Sequence, residues 1–361
     1  MQPNGVCVYD EGGRKTTLLT PPVMWGLAWA ADDAVWVAGG PTFRDRSLYL
    51  VTPTRPPQEV YRDLASISVQ DASRDGRLLL HHGFERMGVR AKPPGEDSER
   101  ELGVFSWSWV ADLTADGAQL LAVEGNGPGR AAGAAMYVRP TRGGPAVRLG
   151  EGSPLALSPD GKWVLVDPPG EPPRLIVTPT GPGESHALPG HRFETIDSAW
   201  FLEEGQLLVD AAVTGERSRA YLLAPSGGEP RPVTPEGIVS IRGSYRDGSV
   251  MGAGPDGTLA RYPLRGGDPQ PVAARLPTGT RALRASGDGR FVFVGRSGMP
   301  YHIDRLEIAT GRSTPWKAVR PDDVTGSIDV RTTALSADGE AYAYTYGRYF
   351  QDLYLVESLR P

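Results

Sequence analysis

The chain has 361 residues, carries a formal net charge of −5, and contains 46 Gly, 34 Pro and a single cysteine. One cysteine excludes an internal disulfide and argues against a thiolate metal site. No apolar run approaches the roughly 18 residues of a membrane-spanning helix, Met1–Gly5 does not read as a signal peptide, and the charge gives no mandate for binding nucleic acid. Gly and Pro are spread throughout, and no window holds a 3.6-residue apolar period over helical length, so almost no helix is expected.

One phrase recurs along the chain. It is degraded at Trp29-Ala30-Ala31-Asp32-Asp33. It returns at Asp75-Gly76, Asp116-Gly117, Asp160-Gly161, Glu204-Gly205, Asp247-Gly248, Asp288-Gly289 and Asp338-Gly339, at spacings of 41 to 50 residues. Its cleanest copy is Leu157-Ser158-Pro159-Asp160-Gly161-Lys162-Trp163-Val164. Asp-Gly between apolar runs predicts a tight hairpin, because Gly accepts positive φ without steric cost. The runs after the turns are short and almost wholly apolar: Val35-Trp36-Val37, Leu78-Leu79-Leu80, Leu207-Leu208-Val209, Phe291-Val292-Phe293-Val294 and Tyr342-Ala343-Tyr344. That composition predicts strands buried on both faces.

A third strand follows each pair, as in Leu48-Tyr49-Leu50, Met136-Tyr137-Val138, Tyr221-Leu222-Leu223 and Leu353-Tyr354-Leu355. A short fourth closes the unit, as in Pro145–Leu149 and Pro230–Thr234. Four strands repeating at about 40–45 residues are the signature of propeller blades. The expectation is an all-β fold, residues 1–361 as a single β-propeller domain with eight four-stranded antiparallel blades. Pairing of the N- and C-terminal segments closes the ring. Seven blades with one atypical repeat is the alternative, since nine third-strand phrases accompany eight turns.

The phrases also resemble a family. Ser-Pro-Asp-Gly-Lys turns are similar to the TolB-like propeller repeat. Gly26–Trp29, Gln70–Leu79, Ser98–Leu102, Val147–Gly152, Ala156–Val164, Pro232–Gly237, Leu306–Trp316 and Tyr342–Glu357 resemble, in order, the C-terminal propeller region of acidobacterial and myxobacterial serine/threonine protein kinases. The resemblance implies a noncatalytic ligand- or protein-binding sensor module in a periplasmic setting. The propeller would follow a kinase domain and a membrane segment that this sequence does not contain.

Most motifs that would carry catalysis are missing from the sequence. The Gly-rich loop, strand Lys, His-Arg-Asp and Asp-Phe-Gly of a kinase are absent. So is the Gly-x-Ser-x-Gly elbow of a hydrolase. His81, His82, His186, His191 and His302 are scattered. Gly125–Arg130 imitates a phosphate loop but leads into a strand, where a phosphate loop opens a helix. The Asp-Gly turns lack the closely spaced carboxylates of calcium loops. No catalytic residue, metal or cofactor is expected.

One pattern supports binding. Most loops between second and third strands carry Arg, which gives a candidate face of Arg44, Arg46, Arg86, Arg130, Arg219, Arg296, Tyr301 and Arg348 for a protein or small anionic ligand. Solvated pairing with Asp45, Glu85, Glu216 and Asp352 is the plainer explanation of the same arginines. The polar stretch Gly83–Arg100 reads as a loop excursion. A lyase- or lactonase-type propeller enzyme with a metal at the channel mouth is the alternative, and a structural scaffold the second. A monomer is expected.

Overall fold

The computed structural model describes residues 5–20, 23–31, 33–40, 46–63, 66–125, 134–202, 205–245, 247–357 and 359. Among them every extended element is a β-strand and none is an α-helix. The chain gathers into two compact units, residues 1–86 with 349–361, and residues 87–348.

In the first unit, β1 (Val6–Tyr9) pairs with β2 (Lys15–Leu19). Strands β3 (Val23–Trp29), β4 (Val35–Gly40), β5 (Arg46–Thr52) and β6 (Arg55–Asp63) form an antiparallel sheet in that order. Strand β7 (Ser66–Ala72) pairs with the start of β8 (Leu78–Lys92). Ala28, Trp36, Ala38 and Leu48 of the sheet pack on Ile67, Val69, Leu78 and Leu80. The two layers approach so closely at Gly26, φ +128°, that an added Cβ would sit 2.3 Å from the Val69 carbonyl oxygen.

The second unit repeats one design. After β9 (Arg100–Glu101) come β10 (Trp107–Leu113), β11 (Gln119–Gly125), β12 (Ala135–Pro140) and β13 (Val147–Glu151), antiparallel in sequence order. The same arrangement returns in β14 (Ser153–Leu157), β15 (Trp163–Asp167), β16 (Ile176–Pro179) and β17 (His186–Ala187), and in β18 (Thr195–Phe201), β19 (Leu207–Ala212), β20 (Arg219–Leu223) and β21 (Arg231–Pro232). It returns again in β22 (Val239–Ser244), β23 (Ser249–Ala253), β24 (Thr258–Pro263) and β25 (Gln270–Arg275), and in β26 (Arg281–Ala285), β27 (Phe291–Arg296), β28 (Tyr301–Glu307) and β29 (Ser313–Val319). Strand β30 (Ser327–Leu335) then pairs with β31 (Tyr342–Val356), and β31 with β8.

Each sheet buries its faces against its neighbours. Leu165 and Val177 share a cluster with Leu207, Val209 and Tyr221. Trp200 and Leu208 meet Val250 and Tyr262, and Met251 and Leu259 meet Val292 and Leu306. Phe293 and Ile303 meet Tyr342 and Tyr344, while Ala341 and Ala343 pack with Val110, Leu113 and Leu120. The first strand of each of these sheets carries a register shift: Val110/Asp112, Pro154/Ala156, Ile196/Ser198, Ile241/Ser244, Ala282/Arg284 and Val330/Thr332. A bulge re-aims the side chains beside it.

The recurring turn has a physical cause. The hydroxyl two residues before the Asp donates to its carboxylate, at 2.7 Å in Thr114–Asp116 and 2.6 Å in Ser158–Asp160, Ser286–Asp288 and Ser336–Asp338. The same carboxylates accept the backbone N–H groups of Ala118, Lys162, Arg290 and Glu340 at 2.9–3.1 Å. The following Gly takes φ between +70° and +75° in all four. In each turn one carboxylate oxygen, Oδ1, takes both bonds.

Two expectations change. The terminal segments do not pair with each other among the described residues: β1 pairs with β2, and β31 with β8 and β30. The turns at Asp75 and Asp338 do not each begin a separate four-stranded sheet. They lead into the two 15-residue strands β8 and β31, which pair with one another and contribute to both units. Residues 83–92, read as loop, continue β8, with Met87, Val89 and Ala91 buried at every second position. That period of two is a strand signal hidden by the surrounding charge.

Replacing Gly26 by Ala forces a left-handed backbone and a clash on Val69 together, and should destabilise the first unit by about 3 kcal/mol, measured by urea denaturation. The turn carboxylates predict a pH dependence. Bonds from the Ala118 N–H to Asp116, from the Ser158 hydroxyl to Asp160 and from the Ser286 hydroxyl to Asp288 hold these groups below the ordinary 3.8. A carboxyl depressed in the folded state stabilises above its unfolded value and loses that contribution as pH falls through the folded one. Urea midpoints should therefore drop on going below pH 4, and less steeply in the Asp160→Asn/Asp288→Asn double variant.

Candidate functional site

The most unusual chemistry lies on the first strands of the second unit. Asp112 follows the bulge in β10 and is 2% exposed. Its Oδ1 accepts the Leu113 N–H at 2.6 Å and pairs with Arg242 Nη1 of β22; its Oδ2 accepts the Leu157 N–H of β14 at 2.6 Å. Arg284, at the bulge in β26, donates from Nη1 to the Leu335 carbonyl of β30 at 3.1 Å, while its buried Nε has no hydrogen-bond partner. Burial, and then the charge of Arg242, push Arg284 down to about 10. Five first strands thus meet at one carboxylate bound to Arg242, with a second guanidinium, Arg284, within reach of its charge.

A second buried carboxylate is fully served. Asp210 of β19 accepts the Ser240 hydroxyl at 2.6 Å, the Ser198 hydroxyl at 2.8 Å and the Ser240 N–H at 3.3 Å. Burial pushes its carboxyl up. It ties the β18–β21 sheet to β22.

A third cluster clasps β9 onto β31. Tyr342 and Tyr344 donate to the two oxygens of Glu99 at 2.8 and 2.7 Å, and Tyr346 donates to Glu101 at 2.7 Å. Arg90 completes it, 3.2 Å from Glu99 and 2.7 Å from Asp322. Burial, and then the carboxylate partners, push all three phenols up, Tyr346 to about 12. They remain donors, unsuited to act as bases.

Between the β14–β17 and β18–β21 sheets opens an apolar cleft of about 510 Å³. Trp163, Phe201, Leu202, Leu207, Pro159 and Pro225 line it, with Asp160 and His186 among the polar groups. Trp163 is 36% exposed, and its ring meets His186 edge-on at 6.0 Å.

The arginine face expected from sequence divides as follows. Arg44 and Arg130 lie outside the described residues, as do Asp32, Glu203, Glu204 and 126–130 of the Gly-rich loop. In the first unit the Arg46 guanidinium lies 4.6 Å above the Trp25 ring and donates to Ser66, and Arg86 is exposed. In the second, Arg219 is held by Glu216 at 2.5 Å and Glu236 at 3.0 Å, and Arg348 by Asp323 at 3.1 Å. Arg296 is exposed at the end of β27, and Tyr301 is buried. Asp112, Arg242 and Arg284 escaped the sequence reading, although each is a charge inside a first strand whose other residues are mostly apolar or small. Among the described residues no three His, Cys, Asp or Glu side chains are placed to share a metal ion, and no helix is long and apolar enough to cross a membrane.

No family model matches the chain, and no curated protein does. Solved structures do. A prolyl endopeptidase is similar over 83% of this chain and 50% of its own, at 15% identity and a TM-score of 0.40. A puromycin hydrolase is similar over 90% and 58%, at 18% and 0.46. TolB from Acinetobacter baumannii is similar over 97% and 62%, at 12% and 0.30. The chain therefore spans about half the length of the two enzymes. These likenesses concern the fold, which is all-β and propeller-like. They also correct an expectation: the similar structures include two hydrolytic enzymes, so the reading as a noncatalytic, kinase-linked sensor module is withdrawn.

Proposed function

We propose that the chain binds protein, by seating an apolar anchor residue of a partner peptide in the cleft between the β14–β17 and β18–β21 sheets. The observation that carries this reading is the cleft itself: about 510 Å³ walled by Trp163, Phe201 and two prolines. Exposed aromatic rings over an apolar floor are typical anchors of binding sites, because they supply large contact area at low conformational-entropy cost. Asp160 at the cleft suits a cationic residue beside the anchor, since its Oδ2 is outside the turn's hydrogen bonds and, among the described residues, pairs only with Lys162 at 3.7 Å.

The architecture proposed around this site is a ring of six blades in residues 87–348, where β30, β31, β8 and β9 make the sixth. Three observations support it. Every sheet shares a cluster with the next, including the last with the first. Gly287 donates to the Ala337 carbonyl and Ala337 to the Ala115 carbonyl, both at 2.8 Å, which links three successive turns. Thr345 of β31 accepts the Val110 N–H of β10 at 2.8 Å.

Titration with a blocked Phe-Lys dipeptide amide should move the Trp163 indole signal in the ¹⁵N spectrum, whereas blocked Ala-Lys should not. Phe201→Ala should weaken the response at least about tenfold, the order expected for truncating a central aromatic contact. An indole signal unmoved at millimolar Phe-Lys removes the cleft as the binding site.

A further inference from the structure

We propose that Arg242 and Arg284 of the second unit form an oxyanion-binding site, which takes a carboxylate or phosphate group between their guanidiniums. The inference does not depend on the peptide cleft.

Asp112 pairs with Arg242, and among the described residues it makes no bond to Arg284. Its Oδ1 already meets the Leu113 N–H and Arg242, and its Oδ2 is held by the Leu157 N–H. The next carboxylate acting on Arg284 is Asp338, but that group is held in its own turn by the Ser336 hydroxyl at 2.6 Å and the Glu340 N–H at 2.9 Å. Arg284 is left with one bond to a neutral carbonyl and a buried Nε that bonds nothing.

Buried cations are ordinarily matched by a counter-charge, because desolvation of an unpaired one is costly. Here a second cation stands where the counter-charge is needed. A guanidinium offers five donors in a planar fork, matched to the paired oxygens of a carboxylate or phosphate. Two forks with donors to spare can hold one such group between them. Access remains, since the Arg242 side chain is 23% exposed and Arg284 is only partly buried by area. Three other arginines of this unit whose buried Nε likewise makes no hydrogen bond each have a carboxylate: Arg219 has Glu216 and Glu236, Arg348 has Asp323, and Arg90 has Glu99 and Asp322.

The test uses the whole chain at constant ionic strength, exchanging chloride for inorganic phosphate in one arm and for acetate in the other. A ligand that binds only the folded state raises its melting temperature by mass action. The wild-type chain should melt higher in at least one arm, and which arm responds tells phosphate from carboxylate. The response should disappear in Arg284→Met and survive in Arg312→Met, which removes an exposed cation elsewhere in the unit. Arg284→Lys keeps the charge but not the fork, and should retain only a weakened response. The Arg284 Nε–H resonance of the wild-type chain should shift with the same anion, a reading that needs no variant to fold. Equal melting in all three salts with an unmoved Nε–H resonance overturns the proposal. So does an Arg284→Met chain that responds as fully as the wild type.

Discussion

A sheet that is apolar on both faces cannot stand alone in water, and this constraint organises the second unit. Strands such as Leu207–Ala212 and Ser249–Ala253 are buried nearly from end to end, so each sheet must be covered twice. Its neighbours supply both covers, and the clusters that result alternate from sheet to sheet. Burial at roughly 25 cal/mol per Å² of apolar surface rewards stacking but does not fix angles. Orientation falls to directional bonds that cross between sheets: Asp112 to the Leu157 N–H, Asp210 to Ser240, and Thr345 to the Val110 N–H. Each crosses from one sheet to a first strand of the next, so the polar groups set register within a body held by apolar contact.

The repeat was legible because it is local. An Asp-Gly turn and a hydroxyl two residues before it need no distant partner, and the hydrogen bonds that consume them fall within six residues. The four-strand unit followed from the same spacing. What was not legible depends on pairing between distant segments. Nothing local tells β8 to run on through Met87, Val89 and Ala91, because its partners are Glu101 and Arg100 on one edge and β31 on the other. The two copies of the turn that feed β8 and β31 look like the other copies in sequence. They differ only in what their long strands find to pair with.

The site was missed for a related reason. Arginines in loops drew the eye because loops are exposed, yet Arg219 is held by the nearby Glu216 and also by Glu236, 17 positions away, and Arg348 by Asp323, 25 positions away, and sequence distance concealed the last two carboxylates. The informative arginines sit in strands. Arg242 and Arg284 occupy bulged positions of segments whose other side chains are mostly apolar or small. A charge in such a segment is expensive unless something answers it, and the bulge is the device that turns it toward the other first strands.

Charge balance separates a clasp from a binding site in this fold. The Arg90 cluster holds one guanidinium against Glu99 and Asp322, with the tyrosine hydroxyls filling the remaining acceptors of Glu99. Its charges are answered internally, and an added anion would have to displace a carboxylate already in place. The Asp112 cluster inverts the ratio, with two guanidiniums to one carboxylate that two backbone amides already hold. Repulsion between like charges in a partly dry setting falls slowly with distance, so the pair gains from any anion small enough to enter. A fold able to neutralise Arg90 twice over leaves Arg284 unanswered, and the contrast lies in the supply of carboxylates, not in the depth of burial. The same comparison explains why the tyrosine clasp, although rich in perturbed groups, reads as structure, whereas the sparser arginine pair reads as a place for something to bind.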